Sequence, residues 1–230
     1  LDIQFLLSKY EIGLILGAFG FSMAITHIPA GRLADRIGRK PLLTIAWALG
    51  LIATLIMGFA LTLPLFLIGL FAYGLTAFVS SPLSSYVTAA RGKWPVGTVL
   101  SLTTATFGMG MVLGPVTGGW IGDHHGMRMS FLAAAVVFVL SNVFMFFAES
   151  QPIDHHDPDA PPPTPMSNQR FIALMSVLAF AIFSMYLSQP FTPNFLEGVR
   201  GLSLSQTGLI FTAGALGNSL MAIAFSRVNP

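Results

Sequence analysis

The sequence predicts an all-α protein that crosses a membrane several times, and three observations favour this fold class. Of the 230 residues, 54% are hydrophobic, and the mean hydropathy is +0.76. Only 9% are charged, against about 25% in a soluble domain. Residues 41–90 contain no charged side chain, and this stretch is far longer than the roughly 20 residues that one membrane helix needs. We therefore expect a polytopic helix bundle.

The sequence predicts seven membrane helices. This number follows when the long apolar stretch is divided at a turn and the rest of the chain is searched for apolar segments of about 20 residues. Leu63-Pro64 marks the turn, because proline has no N–H to donate in a helix interior and suits a first turn. The predicted spans are residues 12–30, 42–61, 65–89, 97–121, 129–148, 171–192 and 206–226. The connection at residues 149–170 is rich in proline and acid, so it is expected to be a flexible linker.

The distribution of Lys and Arg predicts the orientation, since these residues favour cytoplasmic loops. The seven spans divide the 11 basic residues unequally between the two sides. One side holds Arg32, Arg36, Arg39, Lys40, Arg91, Lys93, Arg170 and Arg227, and the other holds Lys9, Arg128 and Arg200. This bias places residues 31–40 in the cytoplasm and the amino terminus outside.

An internal repeat relates the first predicted span to the seventh. The segment LSKYEIGLI at residues 7–15 matches LSLSQTGLI at residues 202–210 without a gap, and such self-similarity indicates a repeat architecture. Equivalent helices six apart, with the same orientation, predict two parallel six-helix halves. Transporters with this architecture hold their substrate near the middle of the bilayer between the halves. A chance match between apolar segments is the alternative.

The segment GRLADRIGRKP, residues 31–41, resembles the signature loop of the major facilitator superfamily. In that family the loop joins helices 2 and 3 on the cytoplasmic side and holds the two halves together in one conformational state. We expect Gly38 to make a tight turn, and Asp35 to pair with Arg39 or with a helix amino terminus. The alternative is an orientation anchor without a switching role. The matching residues are Gly31, Asp35, Arg36, Gly38, Arg39 and Lys40.

A second motif, GMVLGPVTGG at residues 110–119, resembles the helix-5 signature of the antiporter and drug-efflux branches. Glycines four residues apart share one helix face, which predicts the close approach of another helix. Proline within the helix predicts a bend. The longer signature has a glycine where this chain has Ser101, and generic glycine packing is the alternative. The motif residues are Gly110, Gly114, Pro115, Gly118 and Gly119.

The resemblance covers the whole chain and implies family helices 2 to 8 of twelve. Residues 1–148 would form the amino-terminal half-bundle from helices 2 to 6, and residues 149–170 the cytoplasmic linker. Residues 171–230 would begin the carboxyl-terminal half-bundle with helices 7 and 8. The resemblance also implies an integral protein of the inner or plasma membrane, monomeric when complete, whose partners are the lipid bilayer and a small molecule.

Candidate substrate residues come from the third and sixth spans, because family helices 4 and 7 line the substrate cavity together with helices 1 and 10. Aromatic side chains with few polar groups suit a small amphipathic organic compound, whereas a phosphate would call for an intramembrane base. Ordinary packing is the alternative. The candidates are Tyr73, Ser80, Ser81, Ser84, Tyr186 and Gln189.

Ionisable side chains are scarce in the predicted spans. All nine acids lie in loops or at span ends, and His27, near the cytoplasmic end of the first span, is expected to be structural. Protons are the expected coupling ion if coupling occurs, and the acid would then lie in a helix outside this sequence.

The sequence has no features of an enzyme. It contains no Cys, H-E-x-x-H or G-x-S-x-G. The pairs His124-His125 and His155-His156 are expected to be solvated loop residues, so no metal or other cofactor is expected. No nucleic-acid partner is expected either.

The sequence thus predicts a secondary transporter that exports a small amphipathic compound by alternating access. The alternatives are a metabolite or sugar importer of the same superfamily and a truncated membrane protein that does not transport.

Overall fold

The computed structural model describes residues 7–151, 168–186 and 191–228. At residues 28, 31, 32, 35, 168, 185, 186, 218 and 220–228 the description covers the backbone alone. The described residues are helical throughout apart from turns and caps, with no strand among them, so the predicted all-α class is confirmed. The helices are α1 Lys9–Ile37, α2 Arg39–Phe59, α3 Leu63–Gly74, α4 Ser80–Ala89, α5 Val96–His125, α6 Met127–Phe147, α7 Asn168–Tyr186, α8 Thr192–Gly198 and α9 Leu204–Val228.

The predicted spans fall on helices, with three differences. Helix α1 continues to Ile37, so that of the expected loop at residues 31–40 only Gly38 is not helical. The third span is interrupted by a 3₁₀ turn at Leu75–Val79, just before Pro82, which cannot donate to the carbonyl four residues earlier. The short helix α8 was not expected, and it follows residues 187–190, which lie outside the described part.

Four helical segments among the described residues are long and apolar enough to cross a membrane: Arg39–Phe59, Leu63–Ala89, Val96–His125 and Met127–Phe147. Helix α7 contains a shorter apolar segment, Gln169–Ser184. Large apolar side chains point away from the bundle, as at Phe144, Phe146 and Phe147, which are 74%, 79% and 75% exposed. Exposed apolar surface of this extent is expected of a protein that is solvated by lipid.

The chain forms two compact units, Leu1–Ile153 with Ser203–Pro230, and Asp154–Leu202. In the first unit, helix α2 is the most buried, and small residues on it admit bulky neighbours. Gly50 lies against the ring of Phe138, and Gly58 against Leu132, both from α6. The second unit contains α7 and α8, and α8 ends in a turn where Gly201 has a φ of 68°.

The internal repeat has a local structural counterpart at the start of α1 and of α9. At α1, the Ser8 hydroxyl accepts from the Glu11 N–H at 3.3 Å, and the Glu11 carboxylate accepts from the Ser8 N–H at 2.8 Å. At α9, the Ser203 hydroxyl accepts from the Gln206 N–H at 3.2 Å, and the Gln206 side chain accepts from the Ser203 N–H at 2.9 Å. Both are capping boxes, at matching positions of the two repeat segments. The division into half-bundles at residues 1–148 and 171–230 remains a prediction.

Candidate functional site

Helices α5 and α9 run antiparallel and approach so closely that their backbones touch. A side chain on Gly119 would collide with the backbone of Leu204, and one on Gly208 would collide with the Pro115 carbonyl. One turn further along, the Thr212 hydroxyl donates to the Val112 carbonyl at 2.7 Å. This contact joins the carboxyl-terminal half of α5 to the amino-terminal half of α9.

A carboxylate closes the end of this contact. Asp123, in the last turn of α5, accepts from the Leu204 N–H at 3.0 Å with Oδ1 and from the Ser205 N–H at 2.8 Å with Oδ2. These N–H groups belong to the first turn of α9, where no intrahelical acceptor exists and the helix dipole favours a negative charge. We call this arrangement the Asp123 cap.

The Asp123 cap lies outside the hydrocarbon core, because a 30-residue helix such as α5 is about 45 Å long and the core is about 30 Å thick. The hydroxyl and the N–H of Ser205 beside the carboxylate, with smaller contributions from Ser203 and Leu204, lower the pKa of Asp123 to about 2. The carboxyl group is therefore ionised at any physiological pH.

Further along the same helix pair, α5 and α9 line a cavity of about 650 Å³. Ligand sites for drug-sized molecules have volumes of about 300–1,000 Å³. Among the described residues, the walls are apolar except for the hydroxyls of Ser101, Thr104 and Ser219, and no ionisable side chain lines the cavity. The lining residues are Leu100, Ser101, Thr104, Ala105, Gly108, Met109, Val112, Leu113, Leu216 and Ser219.

The segment at residues 31–40 forms the expected turn at one position. Gly38 has a φ of 85°, a conformation that favours glycine, and it separates α1 from α2. Arg36 lies in the last turn of α1, where a cation complements the helix dipole. The pairing expected of Asp35 falls on a side chain outside the described part, so the switching role of Gly31, Asp35, Arg36, Gly38, Arg39 and Lys40 remains a prediction.

The glycine motif packs through a different face from the one that its spacing predicted. At Gly110, Gly114 and Gly118, an added Cβ would meet no atom within 4 Å among the described residues. No described helix approaches this face, so the expectation of a close helix approach there remains a prediction. Gly110 instead lines a second cavity of about 560 Å³ beside α2 and α4. The close approach occurs at Gly119, on the face that also carries Pro115.

The candidate substrate residues do not meet at the α5–α9 cavity. Tyr73 packs edge-to-face against Phe138, with ring centroids 6.3 Å apart, and the Ser84 hydroxyl donates to the Ser80 carbonyl at 3.0 Å. These contacts are those of ordinary packing. Ser81 is exposed on the same helix. The side chain of Tyr186 and the whole of Gln189 lie outside the described part, so their roles remain predictions.

The histidines make local contacts. His27 Nδ1 lies 2.8 Å from the Met23 carbonyl, and His124 Nδ1 lies 2.9 Å from the Trp120 carbonyl. The His124 ring also stacks on Trp120 at 4.8 Å between centroids. Across the described residues, no group of three His, Asp or Glu side chains could hold a metal ion. The pair His155-His156 lies outside the described part.

Sequence reasoning missed Asp123 and the cavity hydroxyls. Asp123 is one of the acids at the span ends, where a carboxylate usually faces water. The sequence does contain one signal for its contact with α9. Ser203-x-x-Gln206 is a capping box just before the seventh span, and it marks a helix amino terminus on the same side of the membrane as Asp123.

Membrane-length apolar helices that pack closely against one another define the class of an integral membrane helix bundle. Residues 2–229 match the family model of the Major Facilitator Superfamily, and the chain belongs to this superfamily of membrane transporters. It is accordingly an integral protein of the cell membrane.

Individual relatives have several transport-related names. The chain is 24% identical over 223 residues to the tetracycline resistance protein, class B, of Escherichia coli, covering 94% of this chain and 52% of that protein. It is 31% identical over 194 residues to the multidrug resistance protein MdtG of Dickeya zeae, covering 81% and 46%. It is 28% identical over 135 residues to inositol transporter 4 of Arabidopsis thaliana, covering 59% and 20%.

Among solved structures, a crystal structure of a mutant of the nucleoside transporter NupG matches with a TM-score of 0.70, at 14% identity, over 94% of this chain and 58% of that one. This likeness shows the fold. The chain spans about a third to a half of the length of the first curated relatives that it matches, at 36%, 35%, 35% and 52%.

Proposed function

We propose that the complete protein is a secondary transporter that exports a small amphipathic organic compound by alternating access. The asymmetry of the α5–α9 pair carries this proposal. The two helices are in backbone contact where Gly119 meets Leu204 and are joined where Asp123 caps α9, and a cavity adjoins them further along. A closed contact at one end, with a ligand-sized cavity toward the other, suits alternating access.

The predicted orientation gives this asymmetry a direction. Since residues 31–40 are expected in the cytoplasm, α5 runs outward, and its closed end at Asp123 faces the exterior. The cavity near Leu100 then lies toward the cytoplasm. We assign this arrangement to an inward-open state, in which a compound would enter from the cytoplasm.

The chemistry of the cavity supports an amphipathic, uncharged or weakly charged substrate. Its walls are apolar, with hydroxyls at Ser101, Thr104 and Ser219. Two of these hydroxyls donate to their own helix, Thr104 to Leu100 at 3.0 Å and Ser219 to Ala215 at 2.9 Å. The oxygen atoms of these hydroxyls can still accept a hydrogen bond from a ligand. A highly charged substrate would leave its charge unpaired, at a cost of several kcal/mol or more.

The direction of transport is proposed as export because residues 110–119 resemble the efflux-branch signature and because two of the relatives are named for drug resistance. The relative named as an inositol transporter supports the second candidate, a metabolite or sugar importer.

Coupling to protons and a monomeric complete protein belong to the same proposal. So do the roles of residues 1–148 and 171–230 as parts of two half-bundles.

A variant that fills the cavity tests the proposal. Ala105→Phe adds a ring inside the cavity, whereas Val136→Phe makes a similar change on α6, where Val136 is 61% exposed on the lipid-facing surface. Accumulation of a panel of drugs and metabolites would be measured in inside-out vesicles containing the complete protein. We expect saturable accumulation of at least one amphipathic compound, about tenfold less with Ala105→Phe and unchanged with Val136→Phe, for a lost contact of about 1.4 kcal/mol.

Three results would contradict parts of this proposal. Accumulation only in right-side-out vesicles would make the protein an importer. Absence of flux for every compound would favour a membrane protein that does not transport. Full activity of Ala105→Phe would show that the substrate passes elsewhere.

A further inference from the structure

The Asp123 cap differs in kind from the other acidic cap in the structure. Glu11 caps α1 from within its own first turn, bonding to Ser8 three residues away. Asp123 instead reaches across 81 and 82 residues of sequence to bond to Leu204 and Ser205. Helix α9 already has its own capping box at Ser203 and Gln206, so the Asp123 carboxylate is an additional acceptor supplied by a second helix.

The position of the cap makes it a link between the predicted halves. Helix α5 belongs to the predicted amino-terminal half-bundle and α9 to the carboxyl-terminal one. Moving inward from the cap, the two helices touch at Gly119 and Gly208 and then at Thr212, and beyond these contacts both helices line the cavity. The cap therefore lies at the outermost point of the closed contact, where parting of the helices would have to begin.

The bonds in the cap are of a type that resists such parting. Each carboxylate oxygen accepts one backbone N–H, and hydrogen bonds to a charged group are roughly twice as strong as neutral ones. Backbone N–H groups in a first helical turn have no alternative acceptor in the helix. Opening the exterior end must therefore break two charge-assisted bonds, in addition to separating the glycine contacts.

We infer that the Asp123 cap is a latch that holds the exterior end of the α5–α9 contact closed and must release for the transporter to open outward. This inference rests on the proposed function, because a latch of this kind is meaningful only in a protein that alternates its access. The latch biases a two-state equilibrium toward the inward-open state, and removing it should shift the population toward the other state.

Cysteine accessibility in the complete protein tests the latch without a substrate. The chain contains no cysteine, so single reporters are unambiguous within it. Thr212→Cys reports on the closed contact, labelled by an impermeant maleimide from outside intact cells. Ser219→Cys reports on the cavity, labelled in inside-out vesicles. Each reporter is combined with Asp123→Ala, which removes both acceptors, and with Asp123→Asn, which keeps one acceptor and removes the charge.

We expect Asp123→Ala to raise the exterior labelling rate of Thr212→Cys by about five- to hundredfold, the range of typical coupling between sites. Labelling of Ser219→Cys from inside should fall at the same time. Asp123→Asn should change both labelling rates in the same sense as Asp123→Ala but by a smaller factor. It serves as the test variant if Asp123→Ala does not reach the membrane. The matched control, Glu11→Gln, alters an acidic cap that stays within one helix and should change neither rate.

Three outcomes would disprove the latch. The first is an unchanged labelling rate of Thr212→Cys. The second is faster labelling of both reporters, which would mean general loosening of the bundle. The third is an equal effect of Glu11→Gln.

Two further outcomes separate the latch from the proposed function. Normal transport with unchanged labelling would disprove the latch and leave the proposed function standing. Opposite changes at the two reporters without transport of any compound would support the latch and disprove the proposed export.

Discussion

Individual residues decide how closely α5 and α9 can approach. Gly119 and Gly208 face the backbone of the partner helix, and in both cases the nearest atoms are main-chain atoms, which cannot move aside as a flexible side chain can. Gly114 is only five residues from Gly119, yet nothing lies within 4 Å of its Cβ position among the described residues. Residues of the same type in one motif therefore have different roles.

Substitution at these glycines should separate the two roles. Gly119→Ala and Gly208→Ala force the helices apart, and overpacking of this kind costs about 1–3 kcal/mol. Gly114→Ala adds a methyl group where there is space and should be neutral or favourable, since alanine exceeds glycine in helix propensity by about 1 kcal/mol. Thermal unfolding of the purified protein in detergent measures the difference. Destabilisation by Gly114→Ala would show that a helix outside the described residues covers that face.

The spacing of the glycines shows how far sequence reasoning reaches at this scale. It predicts a close contact on the face of Gly110, Gly114 and Gly118, because glycines four residues apart share a face. It does not predict the contact seen at Gly119, since that contact depends on which neighbouring helix is present, and α9 is distant in sequence. The turn at Gly38 was predictable because a charged glycine-containing segment between two apolar spans leaves few alternatives.

At the scale of the helix, composition was sufficient to place the spans and insufficient to place their ends. Helix α1 continues through residues 31–37 because its charged residues are compatible with helix once they have left the hydrocarbon. The interruption at Leu75–Val79 follows from Pro82, which was visible in the sequence. The pairing of α5 with α9 could not be predicted, because apolar periodicity says which residues are apolar and nothing about which helix faces them.

Orientation is the element-scale expectation that an experiment can settle first. Exposed positions at helix ends are suitable for single cysteines, namely Ile37 and Trp94 on the predicted cytoplasmic side and His125 on the other. Gly92 is avoided because its φ of 57° would strain a substituted residue. We expect an impermeant thiol reagent to label only His125→Cys from outside intact cells. External labelling of Ile37→Cys would show that the orientation is the reverse of the predicted one. The closed end of the α5–α9 contact would then face the cytoplasm.

At the scale of the whole molecule, membership of the superfamily and the repeat between α1 and α9 are consistent with one another. Both repeat segments begin with a capping box, at Ser8 and at Ser203, so the similarity includes backbone structure as well as apolar composition. By the family pattern, a twelve-helix transporter pairs each helix of one half with one of the other. If the predicted correspondence to family helices 2 to 8 holds, the 230 residues supply both members of one such pair.

The decisive measurement is flux through proteoliposomes, with the complete protein and the 230-residue chain reconstituted side by side. We expect saturable, substrate-dependent flux of an amphipathic compound by the complete protein. We expect none by the chain alone, because by the predicted correspondence to family helices 2 to 8 it would lack five of the twelve helices that enclose the transport path. Robust flux from a monomer of the 230 residues, or no flux from the complete protein for any compound in the panel, would contradict these expectations.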